Sequence, residues 1–309
     1  GALVVVPLLL LGRELGSLEG GFIAALLGSI AHSYYNRTMA GYYDSDMLIL
    51  FFALTAVYFA IKSMKHRKEI YLAGVVITFF IGLWYYPNLR YIFIGVAIVY
   101  FVLGVIEGRI KDRFFLLSSA IIFVSAPLFA WYIKLPVVAS LFALLLFFRP
   151  KSHTPIYALF AISGALFLYF GFYDSLVGFL SRDNVVRSTV MEGNASLHYF
   201  SVVNTIREAG NIPFELFANR ISGSVFLFFT SLLGLVLLAF YDRRYLLLLP
   251  LLVLGYFALR GGLRFTFYAV PIQALGFAFL TLYIATFIYK RFKLSETIFY
   301  LLLSFFTIL

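Results

Sequence analysis

The chain contains no cysteine, which excludes a disulfide framework, a thiolate zinc site and a cysteine nucleophile. Histidine is nearly as scarce: its four residues are scattered, and this argues against a metal site built from imidazole rings. Carboxylate oxygens are then the main ligands left for binding a metal ion.

Charged side chains are also few, and their scarcity excludes a soluble domain. They make up 12% of the residues, whereas 63% of the residues are hydrophobic and 20% are aromatic. A soluble domain of this length could not cover so apolar a chain with polar surface. Apolar runs close to the bilayer-spanning length of about 20 residues recur throughout, so the composition predicts a polytopic membrane protein.

The apolar runs predict helices, because they are long and lack the period-two alternation of barrel strands. They fall at residues 1–12, 15–34, 46–61, 70–86, 91–106, 114–133, 135–148, 156–173, 221–240, 245–259, 265–289 and 297–309. We expect a tight external turn near Pro136, at 134–136. The predicted fold class is all-α: a polytopic membrane helix bundle with one long external loop, residues 174–219.

Positive charge concentrates in the short loops on one side of this topology. Fifteen of the 24 lysines and arginines are Arg13 and residues of the loops 62–68, 109–113, 149–153, 242–244 and 290–293. The positive-inside rule makes this the cytoplasmic, or inner, face. The remaining loops then fall on the outer face: 35–45, 87–90, 134–136, 174–219 and 260–264. The net charge of +10 is therefore explained by topology, without nucleic acid as a partner.

We expect a single transmembrane domain, residues 1–309, that is incomplete at both ends. Residue 1 is a glycine inside an apolar run, and Leu309 also lies inside one. The sequence shows no clear repeat, low-complexity tract or soluble domain. The chain is therefore interpreted as an internal fragment of a longer protein.

Three acidic residues on the outer face could form a metal site. Asp44 and Asp46 adjoin the span that begins at residue 46, and Glu208 lies in the long loop. Ionisable groups at this depth are costly unless paired, hydrated or metal-bound. Three carboxylates suit a hard divalent cation such as Mg²⁺ or Mn²⁺, which would also relieve their mutual repulsion. The alternatives are a helix cap at Asp46 and a solvated loop acid at Glu208.

Basic and aromatic side chains share the outer face. Arg220, Arg260 and Arg264 lie at ends of spans. Between Arg260 and Arg264, the pair Gly261-Gly262 would let an anion approach the backbone and a guanidinium group closely. A pyrophosphate headgroup would suit this arrangement. Alternatively, each arginine could extend to the lipid headgroups, and Tyr86 could belong to an interfacial aromatic belt.

Five motifs, taken in order, resemble those of one family of membrane enzymes. They are "YYNRTMAGYYDSDM", "WYYP", "NTIRE", "NRISGS" and "GGLRFTFY". Together they look like the transmembrane part of the catalytic subunit of bacterial N-linked oligosaccharyltransferases, the PglB type, which belongs to the GT-C membrane glycosyltransferases. The resemblance covers essentially all 309 residues, and its first and last motifs are the most specific.

The resemblance implies an activity, substrates and a location. Family members transfer a glycan from a polyprenyl-pyrophosphate-linked oligosaccharide to the asparagine side-chain amide of an acceptor protein or peptide. The bacterial acceptor pattern is Asp/Glu-x-Asn-x-Ser/Thr, and the cofactor is a divalent metal, Mg²⁺ or Mn²⁺. The implied location is the bacterial inner (plasma) membrane, as a multi-pass protein surrounded by membrane lipid, with the active site facing the periplasm.

The resemblance also implies roles for the acidic motifs. Asp44 and Glu208 are the expected catalytic carboxylates, and both are expected to bind the metal together with Asp46. Thr205 opens the T-I-x-E motif that contains Glu208. Arg37 is expected to pair with an aspartate of the acidic motif.

Three further residues take substrate-binding roles by resemblance. Tyr86 matches a tyrosine near the first sugar, and Arg264 matches an arginine near the lipid-linked pyrophosphate. Arg220 matches the arginine that reads an acidic residue two positions before the acceptor asparagine.

The chain departs from the family pattern in three ways. The first catalytic aspartate and the WWDYG motif of the family are both absent from these residues. After "WYYP" the chain reads Asn88-Leu89-Arg90, where relatives carry serines, and this leaves the sugar preference open. We therefore expect the 309-residue fragment to be inactive by itself.

The long loop contains a possible acceptor site of its own. Residues 192–196 read Glu-Gly-Asn-Ala-Ser, which fits the acid-x-Asn-x-Ser pattern. The hypothesis is that Asn194 is glycosylated by the enzyme itself or by a neighbouring copy. The alternative is a chance match in a polar loop.

Two other functions remain open on the sequence alone. One is a different lipid-dependent GT-C glycosyltransferase, against which Arg220 and the T-I-x-E motif argue. The other is a cation-coupled transporter that uses Asp44, Asp46 and Glu208. A transporter is expected to place such groups near the bilayer midplane, often between repeated halves, whereas these residues lie at one surface.

Overall fold

The computed structural model of the chain describes residues 2–39, 46–147, 154–173, 212–293 and 295–308. Within these ranges the chain is helical and contains no strand, which confirms the all-α prediction. The helices before the long loop are α1 (Val5–Glu14), α2 (Leu18–Ile30), α3 (His32–Thr38), α4 (Asp46–His66), α5 (Glu69–Tyr85), α6 (Arg90–Ile106), α7 (Arg113–Ser125), α8 (Trp131–Phe147) and α9 (Thr154–Phe167). A π-helical turn, Leu168–Tyr173, continues α9.

A second set of helices follows the long loop. These are α10 (Phe214–Ser222), α11 (Val225–Tyr241), α12 (Leu249–Tyr256), α13 (Ala258–Gly261), α14 (Thr266–Phe292) and α15 (Glu296–Ile308). Because α10 begins at Phe214, residues 214–219 of the predicted loop are helical. Residues 174–211 lie outside the described ranges.

Several helical segments have the length and hydropathy of membrane spans. Within the described ranges five qualify outright: Met47–His66, Pro87–Ile106, Thr154–Tyr173, Arg243–Gly261 and Leu263–Phe292. The bent pair α10–α11 adds a sixth if it is counted as one span. Helices α2, α5, α7 and α8 are apolar but shorter.

The turn between α7 and α8 differs from the prediction. The expected turn at 134–136 is wrong, because α7 ends at Ser125, α8 begins at Trp131 and Pro136 lies inside α8. Pro127 has no N–H to continue the hydrogen bonding of α7, so the chain turns there. Pro136 also removes one backbone hydrogen bond, and it does so near the start of α8, where it is exposed. The position of the turn at 126–130 on the outer face stays a prediction.

The outer half of α14 is fully enclosed in the bundle. Every residue from Thr266 to Gly276 is buried, so this stretch has no exposed face. A helix that is apolar on all sides must be surrounded by other helices. Helices α2, α3, α10, α11 and α12 pack around it.

Glycines let α11 approach α14 closely. A Cβ atom at Gly234 of α11 would lie 1.9 Å from the carbonyl oxygen of Gly276 in α14. Conversely, a Cβ atom at Gly276 would lie 2.3 Å from the carbonyl oxygen of Ser231. Small residues at such crossings let two backbones pack in direct contact within a membrane.

On the inner face, one carboxylate ties α1 to α4. Lys62 Nζ donates to Glu14 Oε1 at 2.6 Å, and Lys65 Nζ donates to Glu14 Oε2 at 3.2 Å. Glu14 lies outside the five candidate spans. Burial raises the pKa of the Glu14 carboxyl, but the hydrogen bonds and charges of the two lysines outweigh it, so the pKa lies below its usual value. The carboxylate therefore remains ionised and keeps the two helices joined at neutral pH.

We predict that Gly234→Ala destabilises the bundle, because the new methyl group collides with backbone that cannot rotate away. Overpacking of this kind costs about 1–3 kcal/mol. Gly164→Ala is the matched control, since a Cβ atom at Gly164 in α9 meets nothing within 4 Å. Thermal unfolding in detergent should show a lower Tm for Gly234→Ala and an unchanged or slightly higher Tm for Gly164→Ala. Equal shifts for the two variants would contradict the close packing of α11 on α14.

Candidate functional site

The structure describes some of the predicted site residues and not others. The side chains of four are described: Arg37, Tyr86, Arg220 and Arg264. Four other predicted residues lie outside the described ranges: Asp44, Thr205, Glu208 and Asn194. For Asp46, only the backbone is described. The roles assigned to all of these residues stay predictions.

Arg220 lies in the last turn of α10, a short helix set at 68° to α11. The bend occurs at Gly223, whose φ of 82° is one that a residue with a side chain adopts only with strain. Ser224 then begins α11, because its hydroxyl accepts a hydrogen bond from the backbone N–H of Leu227 at 3.1 Å. The sequence Ser-Gly-Ser therefore stops one helix and starts the next, leaving Arg220 at the outer end of the bundle.

Arg264 lies in the turn that leads into α14. Gly262 has a φ of 94°, so glycine is required for this reversal of the chain. The Arg264 side chain is exposed and its guanidinium carbon lies 5.0 Å from the ring centroid of Phe265. The turn is fixed by Thr266, whose Oγ1 donates to the carbonyl oxygen of Leu263 at 2.6 Å.

Arg37 approaches the same turn from α3. Its guanidinium carbon lies 5.9 Å from the ring centroid of Phe267, in the first turn of α14. The buried hydroxyls of Ser33 and Thr266, 2.9 Å apart, form a hydrogen bond that joins α3 to α14. Since α10 also packs against α3 and α13, the elements that carry Arg37, Arg220 and Arg264 meet at one end of the bundle. These three residues are called the arginine group below.

Tyr86 lies in a different place, at the turn between α5 and α6. Its hydroxyl accepts a hydrogen bond from Asn88 Nδ2 at 3.2 Å, and its backbone N–H donates to the carbonyl oxygen of Gly82 at 2.8 Å. Arg90 begins α6, and its Nη2 donates to the Tyr91 hydroxyl at 3.0 Å. Residues 86–90, called the tyrosine turn below, thus present a hydroxyl, an amide and a guanidinium together.

Helix α4 connects the arginine group with the tyrosine turn. It begins at Asp46 and packs against both α3 and α5. Phe52 of α4 lies with its ring centroid 5.7 Å from that of Tyr85, next to Tyr86. Asp46 is six residues before Phe52, or about 9 Å along the helix axis. Asp46, the last residue of the predicted acidic motif, therefore begins the helix that lies between the two groups.

The metal site remains a prediction. Among the residues that the structure describes, no three acidic, histidine or cysteine side chains are grouped to hold an ion. The side chains of the three predicted ligands fall outside the described part of the chain.

A cavity of about 290 Å³ lies beside the helix that carries Arg220. Its polar lining comes from His32, Asn219, Ser222 and Ser231, and its remaining walls are apolar side chains of α2, α11 and α14. The hydroxyl of Ser222 is buried without a hydrogen-bond partner among the described residues. The cavity therefore offers a polar edge and apolar walls next to Arg220.

Sequence reasoning missed several residues that build this region. Ser33 and Thr266 were not candidates, because a serine and a threonine 233 positions apart carry no sequence signal of contact. Asn88 was noticed as a departure from the family, but its bond to the Tyr86 hydroxyl could not be foreseen.

The fold and the site together define a class of protein. The chain is a multi-pass helical membrane protein. The family model described as "Oligosaccharyl transferase STT3, N-terminal" matches residues 1–309. The chain belongs to this oligosaccharyl transferase family.

Curated relatives agree with this assignment. The chain is 35% identical, over 285 residues, to the undecaprenyl-diphosphooligosaccharide–protein glycotransferase of Campylobacter jejuni subsp. jejuni serotype O:2. It is 36% identical over 288 residues to the protein of the same name from Campylobacter jejuni strain RM1221. Each match covers 90% of this chain and 39% of the relative, so the chain spans well under half of their length.

Solved structures show a similar fold. An archaeal oligosaccharyltransferase, AglB from Archaeoglobus fulgidus, in complex with an inhibitory peptide and a dolichol-phosphate, matches with a TM-score of 0.60 and 19% identity. That match covers 99% of this chain and 41% of AglB. An Archaeoglobus fulgidus oligosaccharyltransferase tethered to an acceptor peptide containing the NVT sequon matches with a TM-score of 0.58 and 18% identity, over 99% of this chain and 40% of its own.

We predict that Thr266→Val lowers the free energy of unfolding by about 1–3 kcal/mol, because it removes a buried hydroxyl and leaves its partners unpaired. A double-mutant cycle with Ser33→Ala should show positive coupling, since the two hydroxyls bond each other. Thr230→Val is the matched control, because the Thr230 hydroxyl donates to Leu227 within its own helix. Additive effects of Thr266→Val and Ser33→Ala would contradict the link between α3 and α14.

Proposed function

We propose that the full-length protein transfers an oligosaccharide from a polyprenyl-pyrophosphate carrier to the side-chain amide of asparagine in an acceptor protein. The observation that carries this proposal is the 35% identity, over nine-tenths of the chain, to enzymes named for that transfer. The chain spans only part of those relatives, so the activity is proposed for the whole protein. The fragment 1–309 by itself is proposed to be inactive.

The carboxylates are proposed to activate the acceptor amide. An amide nitrogen is a poor nucleophile, because its lone pair is conjugated with the carbonyl group. Hydrogen bonds from its N–H groups to Asp44 and Glu208 would weaken that conjugation and orient the nitrogen. The nitrogen then forms a bond to the anomeric carbon while the bond from that carbon to the pyrophosphate oxygen breaks. The proton lost from nitrogen passes to a carboxylate.

The donor set suits a divalent metal. Asp44, Asp46 and Glu208 offer only carboxylate oxygens, which Mg²⁺ and Mn²⁺ prefer, and the chain has no cysteine to compete. A bound Mg²⁺ or Mn²⁺ would stabilise negative charge on the leaving pyrophosphate. Thr205 belongs to the same motif as Glu208, and Arg37 would pair with an aspartate of this set.

The remaining residues are proposed to bind the two substrates. Arg264 is exposed at a glycine-rich turn, where its guanidinium can reach a pyrophosphate from the outer leaflet. Tyr86 would contact the first sugar. Arg220 would read an acidic side chain two positions before the acceptor asparagine, so the acceptor pattern would be Asp/Glu-x-Asn-x-Ser/Thr.

The proposed location is the bacterial inner membrane, with the site facing the periplasm. The basic loops that include residues 62–68 and 290–293 mark the opposite, cytoplasmic face. Exposed lysines and arginines in these loops, or cysteines introduced there, should react with a chemical label only when it is added on the cytoplasmic side.

We predict that Arg220→Ala in the full-length protein lowers kcat/KM for an Asp-x-Asn-x-Thr peptide about 10- to 100-fold. A hydrogen bond to a charged group contributes about 1.5–3 kcal/mol, and each 1.4 kcal/mol is about tenfold. The variant should leave transfer to Ala-x-Asn-x-Thr unchanged, because that peptide has no carboxylate to lose. Mass spectrometry of the glycopeptides measures both rates.

Arg243→Ala is the control for that experiment, since Arg243 is an exposed arginine on the inner face. Its kcat/KM should match wild type for both peptides. A loss with Arg220→Ala that is equal for the two peptides would contradict the proposed reading of the acidic residue. Absence of any transfer by the wild-type protein would contradict the proposed function as a whole.

We also predict that chelation with EDTA abolishes transfer and that Mg²⁺ or Mn²⁺ restores it. Glu208→Gln should weaken Mn²⁺ binding, measured by electron paramagnetic resonance, because one of three carboxylate ligands is lost. Glu215→Gln is the matched control: Glu215 is an exposed acid on α10 with no proposed role. Undiminished transfer in EDTA, or equal Mn²⁺ affinity in the two variants, would argue against the metal site.

A further inference from the structure

One lysine is buried in the outer half of the bundle, and no role described so far involves it. Lys134 lies in the first turns of α8 and is only 3% exposed. In the described part of the chain no carboxylate pairs with it. Ionisable residues buried within membrane helices are costly, and those that persist are usually functional.

The surroundings of Lys134 suit a positive charge. Its Nζ donates to the carbonyl oxygen of Pro127 at 2.8 Å. The same atom lies 5.0 Å from the ring centroid of Phe80 and 5.5 Å from that of Phe129. A carbonyl oxygen and two aromatic rings are all electron-rich, and the site adjoins the negative end of the α7 dipole. These groups bind an ammonium in place of the missing carboxylate.

A purely space-filling role does not account for this arrangement. Methionine would occupy nearly the same volume without burying a charged group. Nor does the side chain extend to the lipid headgroups, because its amine points into the bundle and is almost fully covered. What the lysine supplies beyond bulk is an amine that donates a hydrogen bond to Pro127 and lies against the rings of Phe80 and Phe129.

Those neighbours belong to two separate elements of the outer face. Phe80 is in α5, and Pro127 and Phe129 are in the turn between α7 and α8. The ring of Phe129 in turn stacks on Phe170 in the π-helical turn, with centroids 4.8 Å apart and an interplanar angle of 20°. Lys134 therefore joins α5 to the turn at 126–130, and Phe129 joins that turn to the π-helical turn after α9.

The contact between Lys134 and Phe80 of α5 lies close to the tyrosine turn. Phe80 precedes Tyr86 by six residues, or about 9 Å of helix. Beside Phe80, Phe79 stacks on Phe93 of α6 with ring centroids 4.2 Å apart. The last turns of α5 are thus held by α6, by Lys134 and, through Phe52 and Tyr85, by α4. Losing the contact with Lys134 would remove one of these supports from the helix end that leads to Tyr86.

We propose that Lys134 is a positioning residue: through Phe80 and the turn at 126–130 it fixes the outer end of α5, and so sets the position of Tyr86 against the lipid-linked sugar. The sugar contact rests on the proposed function. The claim that Lys134 fixes the end of α5 stands on the contacts of Lys134 alone.

Kinetics of the full-length protein test the link to the substrate. Lys134→Met should raise KM for the lipid-linked oligosaccharide about tenfold, because it removes the cation–π contact that holds the end of α5. KM for the acceptor peptide should stay within about twofold. Lys134→Arg, which keeps the charge, should restore most of the affinity. If Lys134→Met does not accumulate, Lys134→Gln is measured in the same way. Glutamine keeps a hydrogen-bond donor but cannot carry a positive charge.

Leu141→Ala is the control for loss of stability, because Leu141 is equally buried two turns further along α8. It should lower Tm without changing either KM. A Lys134→Met variant that loses Tm but keeps both KM values would behave like this control, and the proposal would be wrong.

A spin label tests the position of α5 independently of transfer. Trp84, in the last turn of α5, is 85% exposed, so Trp84→Cys can carry the label. Lys134→Met should increase the mobility of the label, Lys134→Arg should not, and Leu141→Ala should not. An unchanged label in Lys134→Met overturns the proposal even if transfer is impaired. If the wild-type protein transfers no glycan, the proposed function fails, and the label still decides whether Lys134 holds α5.

Discussion

The burial of the outer half of α14 is the constraint on which the rest of this structure depends. With no exposed face between Thr266 and Gly276, this helix must be enclosed by its neighbours. Glycines at the α11 crossing allow the closest of these contacts, and a buried pair of hydroxyls fixes α3. The arginine group is arranged around the start of this helix, so its geometry follows from how α14 is packed.

The two faces of the bundle use charge differently. On the inner face, Glu14 and its two lysines form a compact ion cluster that joins α1 to α4. On the outer face, the guanidinium groups of Arg37 and Arg264 lie beside the rings of Phe267 and Phe265. A guanidinium group can bind an anion, which is what the proposed pyrophosphate-linked substrate requires.

Much of the fold could be predicted from local patterns. Long apolar runs without alternation indicated helices, and the basic loops indicated their orientation; the all-α membrane fold and the family are both confirmed. The turn near Pro136 was wrong because two prolines, Pro127 and Pro136, could each interrupt a helix. Which one ends α7 is not recorded in the local pattern: the chain reverses at Pro127, whereas Pro136 lies inside α8, near its start.

The sequence by itself determined the class of protein, its helical character and its family, because hydropathy and short motifs are local properties. Only the tertiary structure decided which side chains meet. The contact between Ser33 and Thr266, and the aromatic and carbonyl surroundings of Lys134, join residues from separate helices. Such contacts depend on how helices cross one another, and a crossing is fixed by close packing between distant segments, which no local pattern records.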